Sequence, residues 1–179
     1  MKLVNRNLIN SKNRPGSQKN INNQIGIVIH FTGALNQTAE QCRNFIQSRT
    51  DWGSYNYIID FDGSILELIP PSEVAYANGH ILPPTHPSNR IFNANQLGQG
   101  SQNWATISIC MTIKSWSGPY EDEQIKSLID LIGSLKSQFP NLKWLLTHND
   151  INGKACDGYF RLNKSELTKI ATLHNMETI

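Results

Sequence analysis

Ile25-Gly-Ile-Val-Ile-His30 is the stretch on which the fold turns. Ile25, Ile27, Val28 and Ile29 are β-branched, and no polar residue alternates with them. Such a run suits a strand covered on both faces, as the central strands of α/β sheets are. Thr32-Gly33 reads as a break, which makes His30 the last residue of the strand. In open α/β sheets ligands gather outside the carboxyl ends of the strands, so an imidazole there is a candidate for chemistry.

Working outward, Thr38 to Arg49 carries Ala39, Cys42, Phe45 and Ile46 at helical spacing, with Thr38 or Asn36 as cap, and explains Cys42 as a core residue. Tyr55 to Asp60, Asp62-Gly63 and Ser64 to Ile69 read as strand, tight turn and strand, because Asp-Gly supplies the positive backbone angles of a hairpin. Ala105 to Ile113 is a further strand. Ile125, Leu128, Ile129, Ile132 and Leu135 mark a helix with Glu121, Asp122 and Glu123 at its positive N-terminal end and Phe139-Pro140 at its stop. Lys143 to Thr147 predicts a short strand delivering His148, then a polar loop through Phe160, then a closing helix from Ser165 to Leu173. The alternation of strands and helices predicts an α/β fold: a single domain with a central mixed β-sheet flanked by helices.

Residues 1–24, rich in Asn, Lys, Ser and Arg with Pro15-Gly16, predict an extended arm over the surface without a buried element, so the compact domain is expected over 25–179. From about Pro70 to Asn103 the chain carries Pro, Asn, Gly and Gln with little periodicity. That is too long for an ordinary connection and is expected to border a substrate.

The 179 residues suffice for one hydrophobic core, and 39% hydrophobic residues fit a globular chain. A net charge of +2 lacks the concentrated basic stripe of a nucleic-acid binder. Three cysteines, Cys42, Cys110 and Cys156, are too few and too scattered for a disulfide framework. Met1-Lys2-Leu3-Val4-Asn5-Arg6-Asn7 contains no apolar run suited to a signal peptide, and no later stretch is long enough to span a bilayer. The expectation is a chain made in the cytoplasm, without stable membrane insertion.

His30 and His148 both sit where a strand gives way to a loop. After His148 comes Asn-Asp-Ile-Asn-Gly-Lys-Ala-Cys156, which returns a sulfur towards the same place. Imidazole and thiolate together suit zinc, and three protein ligands leave the fourth tetrahedral position open, as in catalytic sites. Lys154 can aim its ammonium at an oxyanion there. The same residues also permit two hydrogen-bonded structural histidines beside a buried cysteine, or a cysteine hydrolase with Cys156 as nucleophile and His148 as base.

Three segments, Ile27-Val-Ile-His-Phe-Thr32, Ser54-Tyr-Asn-Tyr-Ile-Ile-Asp-Phe-Asp-Gly63 and His148-Asn-Asp-Ile-Asn-Gly-Lys-Ala-Cys156, fall in an order and at distances that resemble the type 2 N-acetylmuramoyl-L-alanine amidases. The likeness is greatest to short phage endolysins, and extends to the related peptidoglycan recognition proteins. It runs from about Ile25 to Phe160. It implies that fold, and hydrolysis of the amide between the lactyl group of N-acetylmuramic acid and L-alanine in bacterial peptidoglycan or its muropeptides. It further implies one Zn2+ per chain on His30, His148 and Cys156, with Lys154 and Tyr55 as catalytic residues and a monomer as the working unit. Some members use Asp as third ligand. Lys154 stands two positions before Cys156, which selects the cysteine and leaves Asp157 as the alternative.

Departures from the family pattern are also visible. Asn56 stands where many relatives have His, and Cys110 where many bacterial relatives have a catalytic Glu, so Lys154 and Tyr55 must carry more. Asp157-Gly158 follows where Pro is usual. His80 and His86 lie in the long loop; His80, Asn78, Asn89 and Arg90 are candidate muropeptide contacts. A phage-type endolysin is the expected setting, against a cytosolic enzyme recycling muropeptides or a non-catalytic peptidoglycan-binding module.

Overall fold

The computed structural model describes residues 4–10, 12–79, 87–92 and 101–179, apart from the side chains of residues 87, 89, 90 and 101. Six strands form one mixed sheet. In chain order they are β1 (Val4–Arg6), β2 (Gly26–Leu35), β3 (Tyr57–Ile59), β4 (Ile65–Glu67), β5 (Thr106–Ile113) and β6 (Trp144–Thr147). Their order across the sheet is β1-β4-β3-β5-β2-β6. All neighbouring pairs are parallel except β3 with β4, which form the hairpin expected around Asp62-Gly63. Gly63 has φ +79°, and a Cβ there would come within 2.5 Å of the Glu123 carbonyl oxygen, so the turn needs glycine both for its angle and for space.

The helices are α1 (Ala39–Ser48), α2 (Pro87–Phe92), α3 (Ser101–Ala105), α4 (Asp122–Gln138), α5 (His148–Asn152), α6 (Gly158–Leu162) and α7 (Lys164–Leu173). Alternation along β2 sorts the core. Ile27 and Ile29 pack with Leu128, Ile132 and Leu135 of α4 and Leu167 and Ile170 of α7. Val28 faces the other way, onto Phe92, Leu146 and Ile151. His30, in register with Val28, therefore points to the side away from α4.

Four expectations need correction. β2 does not end at His30: it continues to Leu35 through an irregularity after Phe31, where Gly33 takes φ +70°. A bulge thus replaces the predicted stop and bends the strand beside His30. The segment after β6 is not a polar loop, because Thr147 caps α5 with a reciprocal capping box to Asp150, and Asp157 caps α6. Phe45, expected in the core, is exposed, with the Arg49 guanidinium 5.3 Å from its ring centroid.

The fourth concerns the arm, expected to hold no buried element: it supplies the edge strand β1. It buries Ile9 in the cluster of Cys42, Ile46, Leu68 and Cys110, and Asn13 Nδ2 donates to the carbonyls of Ile46 and Arg49, both at 2.9 Å. Of the 70–103 stretch, Val74 and Ala75 are buried and α2 and α3 are helical.

Candidate active site

His30 lies near the middle of β2, in register with Cys110 of β5. His148 opens α5, where the Thr147 cap fixes the direction in which the chain leaves β6. Gly153, with φ +76°, ends α5 and turns the chain back so that Cys156 returns to the histidines. The donor atoms of His30, His148 and Cys156 all lie within 4.8 Å of one another, and all three residues are buried. Cys156 Sγ is 3.9 Å from His30 Nδ1, and the two imidazole centroids are 4.7 Å apart.

A tetrahedral zinc with bonds of roughly 2.0–2.3 Å holds its donor atoms roughly 3.3–3.8 Å apart, so this trio fits zinc after a small contraction. Burial, followed by the charges of His148 and Lys154, pushes the His30 pKa well below its ordinary value; burial and then Lys154 lower that of His148 to about 4. Both imidazoles are thus neutral, the form that binds metal. Burial pushes the Cys156 thiol up to about 12, unlike the lowered pKa that activates a nucleophilic cysteine.

Asp157, the alternative third ligand, is turned away. Its carboxylate accepts from Phe160 N at 2.6 Å and from the Tyr120 hydroxyl, so it is occupied in capping α6. The donor cluster contains Cys156 and not Asp157.

His148 and Cys156 line a cleft of about 450 Å3, with His30 fully buried behind them; the lining also includes Phe31, Trp52, Tyr55, Tyr76 and Lys154. Lys154 is exposed at its rim. The Tyr55 ring lies 5.2 Å from that of His30, and burial holds its phenol well above the ordinary pKa, so it remains a hydrogen-bond donor. A larger groove of about 530 Å3, between α4 and α7 on the other side of the sheet, holds none of these residues.

The remaining predicted residues separate. Asn78 is fully buried and touches Thr106, Asn103, His148 and Asn152, so its expected place on the cleft surface is revised. His80 and His86 lie outside the described residues; Asn89 and Arg90 fall in α2, with side chains outside them. Asn56 is a structural clamp: its amide donates to the carbonyls of Ile69, Pro70 and Glu73 and accepts from Ser108 N at 3.0 Å. Sequence reasoning missed Arg49, Trp52 and Tyr76, which also line the cleft. Trp52 was detectable only as an aromatic before a glycine; its φ of +58° and its edge-on contact with Tyr76, 5.5 Å between centroids, emerge from the fold.

Similarity to known proteins bears on the fold and the family. No curated protein sequence matches the chain. Among solved structures the chain is similar to PlyL (17% identity, 94% of this chain and 96% of that one, TM-score 0.69). It is also similar to the catalytic domain of XlyA (19%, 94% and 98%, 0.70) and to the N-acetylmuramoyl-L-alanine amidase LysC from Clostridium intestinale URNW (19%, 98% and 100%, 0.64). AmpD shares the fold as well, at 15% identity over 94% of this chain and 95% of that one, with a TM-score of 0.64. These likenesses concern the fold. The family model described as N-acetylmuramoyl-L-alanine amidase matches residues 22–159, from before β2 to within α6, and the chain belongs to that family.

Proposed function

We propose that the protein is a zinc-dependent N-acetylmuramoyl-L-alanine amidase of the phage endolysin type, cleaving the amide between the lactyl group of N-acetylmuramic acid and L-alanine of the stem peptide. The observation that carries this reading is the buried His30, His148 and Cys156 trio, of which His148 and Cys156 line a cleft rimmed by Lys154. When bound, one zinc ion per chain supplies Lewis-acid polarisation of the scissile carbonyl and acidifies water.

The chain's own residues do the rest. The cleft receives the sugar–peptide junction, and its walls fix the carbonyl against the donor cluster. Tyr55, protonated and beside His30, donates a hydrogen bond that orients the attacking water. Lys154 presents its ammonium to the negative charge that develops on the carbonyl oxygen. Cys110, fully buried beside His30 in the sheet, supplies no carboxylate, so these two groups carry the polar work.

The test is metal analysis of the purified protein joined to mass spectrometry of murein digests. One zinc per chain, free L-alanine amino termini, and activity lost on chelation and restored by zinc are expected. Full activity after chelation, abolished by alkylation, would instead make Cys156 the nucleophile. Preference for intact murein over soluble muropeptides separates a lytic role from a recycling one. Among the described residues no helix is long and apolar enough to cross a membrane.

A further inference from the structure

One wall of the cleft is the turn 49–54 between α1 and β3, whose Arg49, Asp51, Trp52, Gly53 and Ser54 all line it. Trp52 has φ +58°, a conformation that a bulky residue keeps only where its surroundings hold it, and its side chain is nevertheless 57% exposed. The Arg49 guanidinium donates to both carboxylate oxygens of Asp51 and lies over Gly53, where a Cβ would come within 2.5 Å of it. Ser54 N donates to the Tyr76 carbonyl at 3.1 Å, and Tyr76 N to Ser54 Oγ at 3.0 Å. The Tyr76 ring therefore meets Trp52 edge-on from a fixed backbone.

Further support comes from the N-terminal arm, which precedes the residues matched by the family model. Asn13 is fully buried and reaches the C-terminal end of α1, where carbonyl groups lack partners within the helix. Its Nδ2 donates to the carbonyls of Ile46 and of Arg49, the residue from which the turn departs, at 2.9 Å each. Asn10 and Gln47 fasten the arm to the same helix: Asn10 N donates to Gln47 Oε1 at 2.8 Å, and Gln47 Nε2 to the Asn10 carbonyl at 2.9 Å. Lys12 then places its ammonium 5.6 Å from the centroid of the Trp52 ring, within reach of a cation–π attraction.

We propose that Lys12 and Asn13 are positioning residues for substrate binding: they hold the turn so that the Trp52 and Tyr76 rings form a rigid corner of the cleft against which the muropeptide packs. A wall already in place avoids the cost of ordering it when substrate binds, so loosening it raises KM and leaves kcat to the donor trio, Tyr55 and Lys154. This role rests on the amidase reading, and it ties the arm to the site although none of its described residues lines the cleft.

The experiment is steady-state hydrolysis of soluble muropeptides by the zinc-loaded full chain and its variants. A wild type that releases no L-alanine amino termini overturns the amidase reading, and this role with it. With an active wild type, Trp52→Ala should raise KM about 10-fold, with kcat and zinc content unchanged. Asn13→Ala, which frees the end of α1, should raise KM about three- to tenfold, again at constant kcat. Because Asn13 acts through Trp52, its replacement should add less than about twofold when Trp52 is already alanine. A residue that supports the fold alone would lower the denaturation midpoint of Asn13→Ala without moving KM. That result overturns the proposal, as does a wild-type KM in Trp52→Ala or full addition of the two effects in the double variant. Should Asn13→Ala fail to fold, the exposed Lys12 decides: Lys12→Ala should raise KM about two- to fivefold, and an unchanged KM refutes the assignment.

Discussion

At the scale of single residues, the proposed mechanism separates groups assigned to the metal from groups assigned to the substrate. Lys154 is exposed and lies outside the donor cluster, so removing its amine leaves fold and metal site intact. Lys154→Ala is expected to bind one zinc with unchanged affinity and to lose about 100- to 1000-fold in kcat on murein, the usual effect of deleting one oxyanion partner. A variant that loses zinc as well would move Lys154 from chemistry to structure. Cys156 and Asp157 divide in the same manner although they are adjacent. Cys156→Ser should empty the site. Asp157→Ala removes the cap of α6 and leaves the Tyr120 hydroxyl without its partner, so it should lower stability by about 1–3 kcal/mol while zinc stoichiometry stays at one. Zinc stoichiometry and denaturant midpoints of the two variants give the comparison.

At the scale of elements, the N-terminal arm is the segment whose weight the fold changes most. Ile9 is fully buried against Cys42, Leu68 and Cys110, so Ile9→Ala should destabilise the protein by about 2–4 kcal/mol, a core-sized loss measurable by urea unfolding. A cost below about 0.5 kcal/mol would show the arm to be an accessory. Composition hid this because the arm's polar residues are satisfied by backbone groups elsewhere in sequence, such as the Ile46 and Arg49 carbonyls that Asn13 reaches. β2 was legible because burial on both faces demands apolar β-branched residues, and α1 and α4 because their apolar period is long enough to read. α5 was not, since five residues hold no period; only Thr147, Asp150 and Gly153, a capping box and a left-handed stop, mark it. The donor trio became legible through motifs at family spacing. The inward turn of Asn78 was not, because its partners Thr106, His148 and Asn152 converge only when β5 and α5 are in place.

At the scale of the whole molecule, the family match begins at residue 22, whereas the segment before it reaches the middle of the sheet. Lys19 carries that contact: its side chain is buried, and Nζ donates to the Thr106 carbonyl at the start of β5, at 2.6 Å. Burial lowers its pKa from 10.5 to about 7. Between about pH 7 and 10.5 the unfolded chain therefore holds a proton that the folded protein lacks, and stability rises with pH through that window. Below about pH 7 both states are protonated and the slope vanishes, with the cost of a buried ammonium fully present. The slope is about 1.4 kcal/mol per pH unit, so from pH 7.5 to 9.5 wild type should gain roughly 2–3 kcal/mol over Lys19→Met, which has no amine to titrate. Urea unfolding of both proteins at several pH values in this range, compared as a difference to cancel all other groups, provides the measurement. Parallel curves would mean that the Lys19 amine keeps its water on folding, and that the arm lies on the sheet without being anchored at its centre.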